Sequence, residues 1–144
     1  MMSIKTIGAI LAGRPLNQVG PGASLQEAAT IMAGQGVGAL AVLDGDRLVG
    51  IVSERDIVFR AVARGLPMDG TTVAQVMTCD PVTVEIDHPI SDALAVRLGD
   101  AFRHLPVTDN GRVVGLLSYR DIPAEYLMLF ERFREMSTAR ADEA

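Results

Sequence analysis

A chain of 144 residues, 49% of them apolar and 22% charged, has the charge-to-hydrophobicity balance of a folded domain, which excludes an intrinsically disordered chain. A compact unit of this length buries roughly 68 to 70% of its unfolded surface. The formal net charge of −5, with no block of like charge anywhere, disfavours nucleic acid and anionic membrane surfaces as partners.

The single cysteine, Cys79, rules out an intramolecular disulfide and a cysteine-rich metal site, and suits a reducing cytoplasm. Met1-Met2-Ser3-Ile4-Lys5 lacks the long apolar run of a signal peptide, and no apolar stretch approaches the roughly 20 residues of a membrane helix. A soluble, intracellular protein is expected.

In chain order, Thr6-Ile7-Gly8-Ala9-Ile10-Leu11 reads as a short apolar turn or helix, followed by a proline- and glycine-punctuated stretch from Pro15 to Gly22. Ser24 and Glu27 form a Ser-x-x-Glu capping box, and Leu25, Ala28, Ala29 and Met32 follow at helical spacing, which predicts a helix to about Gly34. Ala39 to Leu43 and Leu48 to Val52 then flank Asp44-Gly45 as a hairpin. The second strand enters Ser53-Glu54-Arg55-Asp56, beyond which Ile57, Val58, Ala61 and Val62 read as one helical face ending near Gly65.

The second half repeats this order. Thr72-Val73-Ala74-Gln75-Val76-Met77 answers the opening segment, and in the punctuated stretch from Cys79 to Pro89 the alternation Val82-Thr83-Val84 reads as extended. Ile90, Ala93, Leu94, Arg97 and Leu98 give the twin helix, with Pro89 suited to its first turn. Leu105 to Thr108 and Val113 to Leu117 flank Asn110-Gly111, a strong hairpin signal, and Ser118-Tyr119-Arg120-Asp121 leads into a helix from Ile122 to Phe133 and a polar tail, Ser137 to Ala144, that frays. A shift of 65 residues aligns Ser24 to Ile57 with Pro89 to Ile122 without a gap, and 12 of those 34 positions are identical. The opening segments match at a shift of 66, and the chain is a duplicated unit of strand, helix, strand, strand and helix.

In order, spacing, glycine placement and the repeated Ser-x-x-Asp, these residues resemble the cystathionine β-synthase (CBS) domain, found in pairs called Bateman modules. The resemblance covers Thr6 to about Leu129. It implies an α/β (α+β) fold of two β-α-β-β-α motifs about a pseudo-two-fold axis: residues 1–66 as the first motif, 67–130 as the second and 131–144 as the helix end and tail. It also implies two symmetry-related clefts for adenosine ligands, with AMP, ATP or NAD(H) favoured over S-adenosylmethionine.

The chemistry of the repeated string agrees. An ionised carboxylate accepts from both vicinal hydroxyls of a ribose, in charge-assisted hydrogen bonds worth roughly 1.5 to 3 kcal/mol each, and Asp56 and Asp121 suit that role. Phosphates need cationic donors and free backbone N–H groups, which Arg55, Arg120 and the adjoining helix entrances supply. Carried over by position, the resemblance implies one cleft of Thr6, Ile10, Val37, Gly38, Ala39 and Leu40 with Ser118, Arg120 and Asp121. The other combines Thr72, Val76, Met77, Arg103, His104, Leu105 and Pro106 with Ser53, Arg55 and Asp56. Arg103-His104 stands where the first copy has Gly38-Ala39, so the two clefts are expected to be unequal.

Plainer readings stand beside these. Ser-x-x-Asp is also a capping box, with the aspartate favoured by the helix dipole; the roles are compatible, since a carboxylate has several acceptor positions. His104 serves either as a structural residue or as a phosphate contact, His88 reads as a surface turn residue and Cys79 as an inert thiol. Tyr126, Leu127, Leu129, Phe130 and Phe133 make the last helix unusually apolar, which suits a homodimer interface or a buried face. No nucleophile–base spacing, phosphate loop or metal-ligand cluster appears, so an enzyme is not expected, nor any catalytic cofactor. The two repeats use up the chain, so a regulatory role requires an effector protein in trans; the alternative is a structural or dimerisation module whose clefts take no nucleotide.

Overall fold

The computed structural model describes residues 6–93, 104–129 and 132. Thr6 starts α1 (Ile7–Leu11) by accepting the Ala9 N–H at 3.2 Å, and α1 closes on Ala12 in the left-handed conformation. After β1 (Gln18–Val19), the Ser24 hydroxyl accepts the Glu27 N–H at 3.1 Å and opens α2 (Leu25–Gln35), which ends on left-handed Gly36. The hairpin β2 (Ala39–Asp44) and β3 (Arg47–Ser53) leads to α3 (Glu54–Ile57) and a π-helical turn (Val58–Val62). The second half comprises α4 (Val73–Val76), β4 (Thr78–Cys79), β5 (Val84–Glu85), α5 (90–93), β6 (His104–Asp109), β7 (Arg112–Ser118), a 3-10 turn (Tyr119–Asp121) and α6 (124–129).

The result is a mixed α+β fold with two sheets, ordered β1-β2-β3-β4 and β5-β6-β7. In each, a short strand lies parallel to the hairpin's first strand, with Val19 beside Val42 and Val84 beside Val107. Both hairpins close on two-residue turns. Asn110 and Gly111 have φ of 52° and 82°, the double positive φ that an Asn-Gly turn of type I′ needs. The first turn is Gly45-Asp46, one residue later than Asp44-Gly45, because Asp44 still pairs with Arg47. Each hairpin also carries a bulge at the same place: the register steps from Val42 opposite Gly50 to Leu43 opposite Leu48, and from Val107 opposite Gly115 to Thr108 opposite Val113.

The opening helices are exchanged. Ile7 and Leu11 of α1 belong to the core of the second sheet, with Val84, Ile90, Leu105, Val107 and Leu117. Val73 and Val76 of α4 belong to the core of the first, with Leu25, Leu40, Val42 and Val52. The hooks match by symmetry: Ile7 N–H donates to His88 C=O at 3.0 Å and Gly8 N–H to Ile86 C=O at 2.8 Å, while Val73 N–H donates to Ala23 C=O at 2.8 Å and Ala74 N–H to Pro21 C=O at 3.0 Å. Two glycines make the crossings possible. A Cβ on Gly50 would lie 2.7 Å from both Met77 Sδ and Thr78 O, and one on Gly115 would lie 3.0 Å from Leu11 Cδ1, so each repeat's second hairpin strand lacks a side chain where the other repeat's opening segment passes.

Three local expectations change. The segment after Ser53 is not one buried face: Ile57 and Ala61 are buried, but Val58 and Val62 are 50% and 57% exposed. Bonds five residues apart, Ala63 N–H to Val58 C=O at 2.9 Å and Leu66 N–H to Ala61 C=O at 3.0 Å, widen the turn and shift its phase. In the second copy the helix begins at residue 124 rather than at Ile122, because Pro123 has no N–H to continue the ladder and its carbonyl instead accepts from Tyr126 and Leu127. The extended segment lies at Val84–Glu85, and Val82 is exposed. Leu94, Arg97, Leu98, Phe102, Arg103, Phe130, Phe133 and the tail from Ser137 lie outside the described residues.

Candidate functional site

Each Ser-x-Arg-Asp string caps its own turn through one carboxylate oxygen. Asp56 Oδ2 accepts Ser53 N–H and Ser53 Oγ–H, each at 3.0 Å, and the Asp56 N–H returns to Ser53 Oγ at 3.2 Å. Asp121 Oδ2 accepts Ser118 N–H at 2.7 Å, and the Arg120 N–H donates to Ser118 Oγ at 3.2 Å. The three shared residue types give the same serine N–H to aspartate bond in both copies, whereas the serine hydroxyl accepts from the aspartate N–H in the first and from the arginine N–H in the second, all over two or three positions.

The other oxygen of each pair has unlike company. Asp56 Oδ1 lies 3.5 Å from Thr78 Oγ1 and 3.7 Å from Arg60 Nε, and Arg60 is tied down by donating to the Val76 and Met77 carbonyls at 3.2 Å each. Asp121 Oδ1 instead faces Arg14 Nη1 at 3.0 Å, a cation delivered from the far end of the chain.

Asp121 and Arg14 stand on the wall of an open cleft of about 880 Å³ that runs between the repeats. From the first implied set, Val37, Gly38, Ala39, Ser118, Arg120 and Asp121 line this cleft. Leu40 is fully buried beneath it, Thr6 caps α1, and Ile10 packs on the second core. From the second set, Ser53, Arg55 and His104 line the same cleft. The pairing explains this: Ala39 lies opposite Ser53 and His104 opposite Ser118, and a Cβ on Gly38 would lie 3.1 Å from Glu54 Oε1 and 3.6 Å from His104 Nε2, so the hairpin mouths of the two repeats meet.

The rest of the second set lies around Asp56 or in the core. Thr72 caps α4, donating N–H to Gln75 Oε1 at 2.7 Å, Val76 is buried, and Met77 packs over Gly50. Leu105 and Pro106 are buried in β6. Arg103 lies outside the described residues.

Sequence reading missed Arg14, Asn17 and Glu54 on the cleft wall. For Arg14 a signal exists: at the shift of 66 that aligns the opening segments it stands opposite Asp80, a reversal of charge within an otherwise matching repeat. Arg14, Arg55 and Arg120 give the wall three guanidinium groups against the carboxylates of Glu54 and Asp121. Arg55 also lies over the Phe59 ring at 5.1 Å. Such a surface suits a ligand with a diol at one end and an anion at the other. Among the described residues there is no cluster of His, Cys, Asp and Glu fit to hold a metal ion, and no helix is long and apolar enough to cross a membrane.

Comparison with known proteins adds four findings. The family model described as "CBS domain" matches residues 7–62 and 73–125. A CBS domain-containing protein of Arabidopsis thaliana is 34% identical over 124 residues, covering 85% of this chain and 23% of that protein, so the chain spans about a quarter of that relative's length. A CBS domain protein from Pyrobaculum aerophilum, solved in complex with AMP, superposes with a TM-score of 0.77 at 34% identity, covering 88% of this chain and 97% of that one. The CBS domain pair of protein MJ0100, solved with 5′-methylthioadenosine and S-adenosyl-L-methionine, superposes with a TM-score of 0.74 at 27% identity, covering 86% and 97%.

Proposed function

The chain belongs to the CBS domain family as a tandem pair, and from that premise we propose that it is a regulatory module that binds an adenine nucleotide in the Asp121 cleft and acts on a separate protein. The observation that carries this reading is the juxtaposition of Asp121 with Arg14 and Arg120 on the wall of an open cleft that Gly38 and Ala39 also line. The carboxylate accepts ribose hydroxyls and the guanidinium groups receive phosphate. AMP is the leading candidate, ahead of ATP and NAD(H); the P. aerophilum relative solved with AMP supports that order. The role is binding rather than turnover, in the reducing cytoplasm that an unpaired, exposed Cys79 tolerates.

Titration calorimetry and thermal melting with AMP, ATP, NADH and S-adenosylmethionine test the reading. Ligand at 100 times its Kd is expected to stabilise the fold by about 2.7 kcal/mol. No heat and no melting shift with any of the four at millimolar concentration would sink it. That result would favour a structural module, the second reading, which the capping bonds of Asp56 and Asp121 support.

A second copy of the chain is the partner we assign to the exposed apolar residues Phe59 and Val62, which are 61% and 57% exposed. Sedimentation at micromolar concentration is expected to give a dimer that Phe59→Asp dissociates. A monomer under these conditions would remove that assignment.

A further inference from the structure

The carboxylate expected to hold ribose already has a cation on the oxygen that faces the cleft. Asp121 Oδ2 is engaged by the Ser118 N–H at 2.7 Å, and Oδ1 by Arg14 Nη1 at 3.0 Å. A vicinal diol accepted by Asp121 therefore meets Arg14 at Oδ1.

We infer that Arg14 is an exchangeable counter-ion, passing from Asp121 to the anionic group of the ligand, so that the cleft selects a nucleoside monophosphate over the neutral nucleoside. The inference rests on the reading that this cleft takes an adenosine ligand. Its geometry comes from the root of the side chain. Ala12 and Gly13 both have left-handed backbone, φ 52° and 71°, and turn the chain so that the Arg14 N–H and Nε both donate to Leu11 C=O at 3.1 Å.

Pro15 follows and stiffens the approach. The root of the side chain is thus held by its own N–H, and because the guanidinium is a rigid plane, moving Nη1 off Asp121 also lifts Nε from the Leu11 carbonyl. Nε and one Nη1 hydrogen are engaged, and the other donors of the planar fork remain for a phosphate oxygen pair. The Arg14 side chain is 49% exposed and that of Asp121 18%, so the cation moves readily while the carboxylate it leaves is largely buried and must be satisfied by the ligand's hydroxyls.

The other repeat is built differently. The position equivalent to Arg14 is Asp80, and the guanidinium beside Asp56 is that of Arg60, held by two carbonyls and 3.7 Å from the carboxylate. A neutral nucleoside at Asp121 pulls the Arg14 cation from its anion and returns no charge to it. A monophosphate returns two negative oxygens, which is the basis of the selection.

Calorimetric titration of wild type, Arg14→Ala and Arg14→Lys with AMP and with adenosine tests this. Arg14→Ala is expected to weaken AMP by about 10- to 150-fold while adenosine binds as well as or better than to wild type, and Arg14→Lys should fall between for AMP because it keeps the charge but not the fork. Equal weakening of both ligands, or no change for AMP, overturns the role of Arg14 and leaves the nucleotide site standing. Failure of wild type to bind AMP overturns the site itself and this inference with it.

Discussion

Ile7→Ala is expected to destabilise the fold by about 2 to 5 kcal/mol, the range for removing buried branched side chains from a packed core. Ile7 is fully buried although it lies near the start of the chain, on a helix of five residues, too short to hold itself together in water. It is fixed by the second repeat: its N–H donates to His88, and its side chain joins Val84, Ile90, Leu105, Val107 and Leu117. Against a total stability of about 5 to 15 kcal/mol for a domain of ordinary size, that loss is a large fraction. The measurement is the urea midpoint, which should fall with the slope unchanged. A change below about 1 kcal/mol would mean that the exchanged helix is not packed into that core. Val73→Ala, at the symmetry-related position in the other core, should act in the same direction and less strongly, since valine is the smaller side chain.

Asp121→Ala is expected to weaken the binding of AMP by about 10- to 150-fold, the equivalent of one charge-assisted contact of roughly 1.5 to 3 kcal/mol. It also removes the acceptor of the Ser118 N–H, so a stability loss of about 1 kcal/mol accompanies it. Asp121→Asn separates the two effects. Its amide oxygen still accepts from Ser118 and keeps the cap, while the negative charge and one acceptor oxygen are gone. Comparable weakening of AMP in both variants, with the melting temperature reduced mainly in the alanine variant, assigns the ribose to this carboxylate. Unchanged affinity in Asp121→Ala assigns it to other groups.

Much of the architecture was legible in the residues because it depends on neighbours in sequence. The repeat, the Asn110-Gly111 turn, the Ser24 cap and the two Ser-x-Arg-Asp entrances all follow from bonds spanning a few positions. The departures are also local once their cause is known. Pro123 delays the helix after Asp121, and the bond of Ala63 to Val58 widens the turn that leaves Val58 and Val62 exposed.

The candidate site was legible only in part. Asp121, Ser118 and Gly38 could be placed through the repeated string and its resemblance to CBS pairs. The presence of Ser53, Arg55 and His104 on the same wall could not, because it depends on how the hairpin mouths meet across the pseudo-axis.

By itself, then, the sequence determined a duplicated α+β unit, its turns and caps, and two aspartates at two helix entrances, since periodicity and short-range hydrogen bonds decide those. Only the tertiary structure decided which repeat each opening helix completes and which cation each aspartate meets. The physical reason is reach: Arg14 and Asp121 are 107 positions apart, and a guanidinium on a flexible stem pairs with whatever carboxylate the packing of two cores brings within 3.0 Å of it.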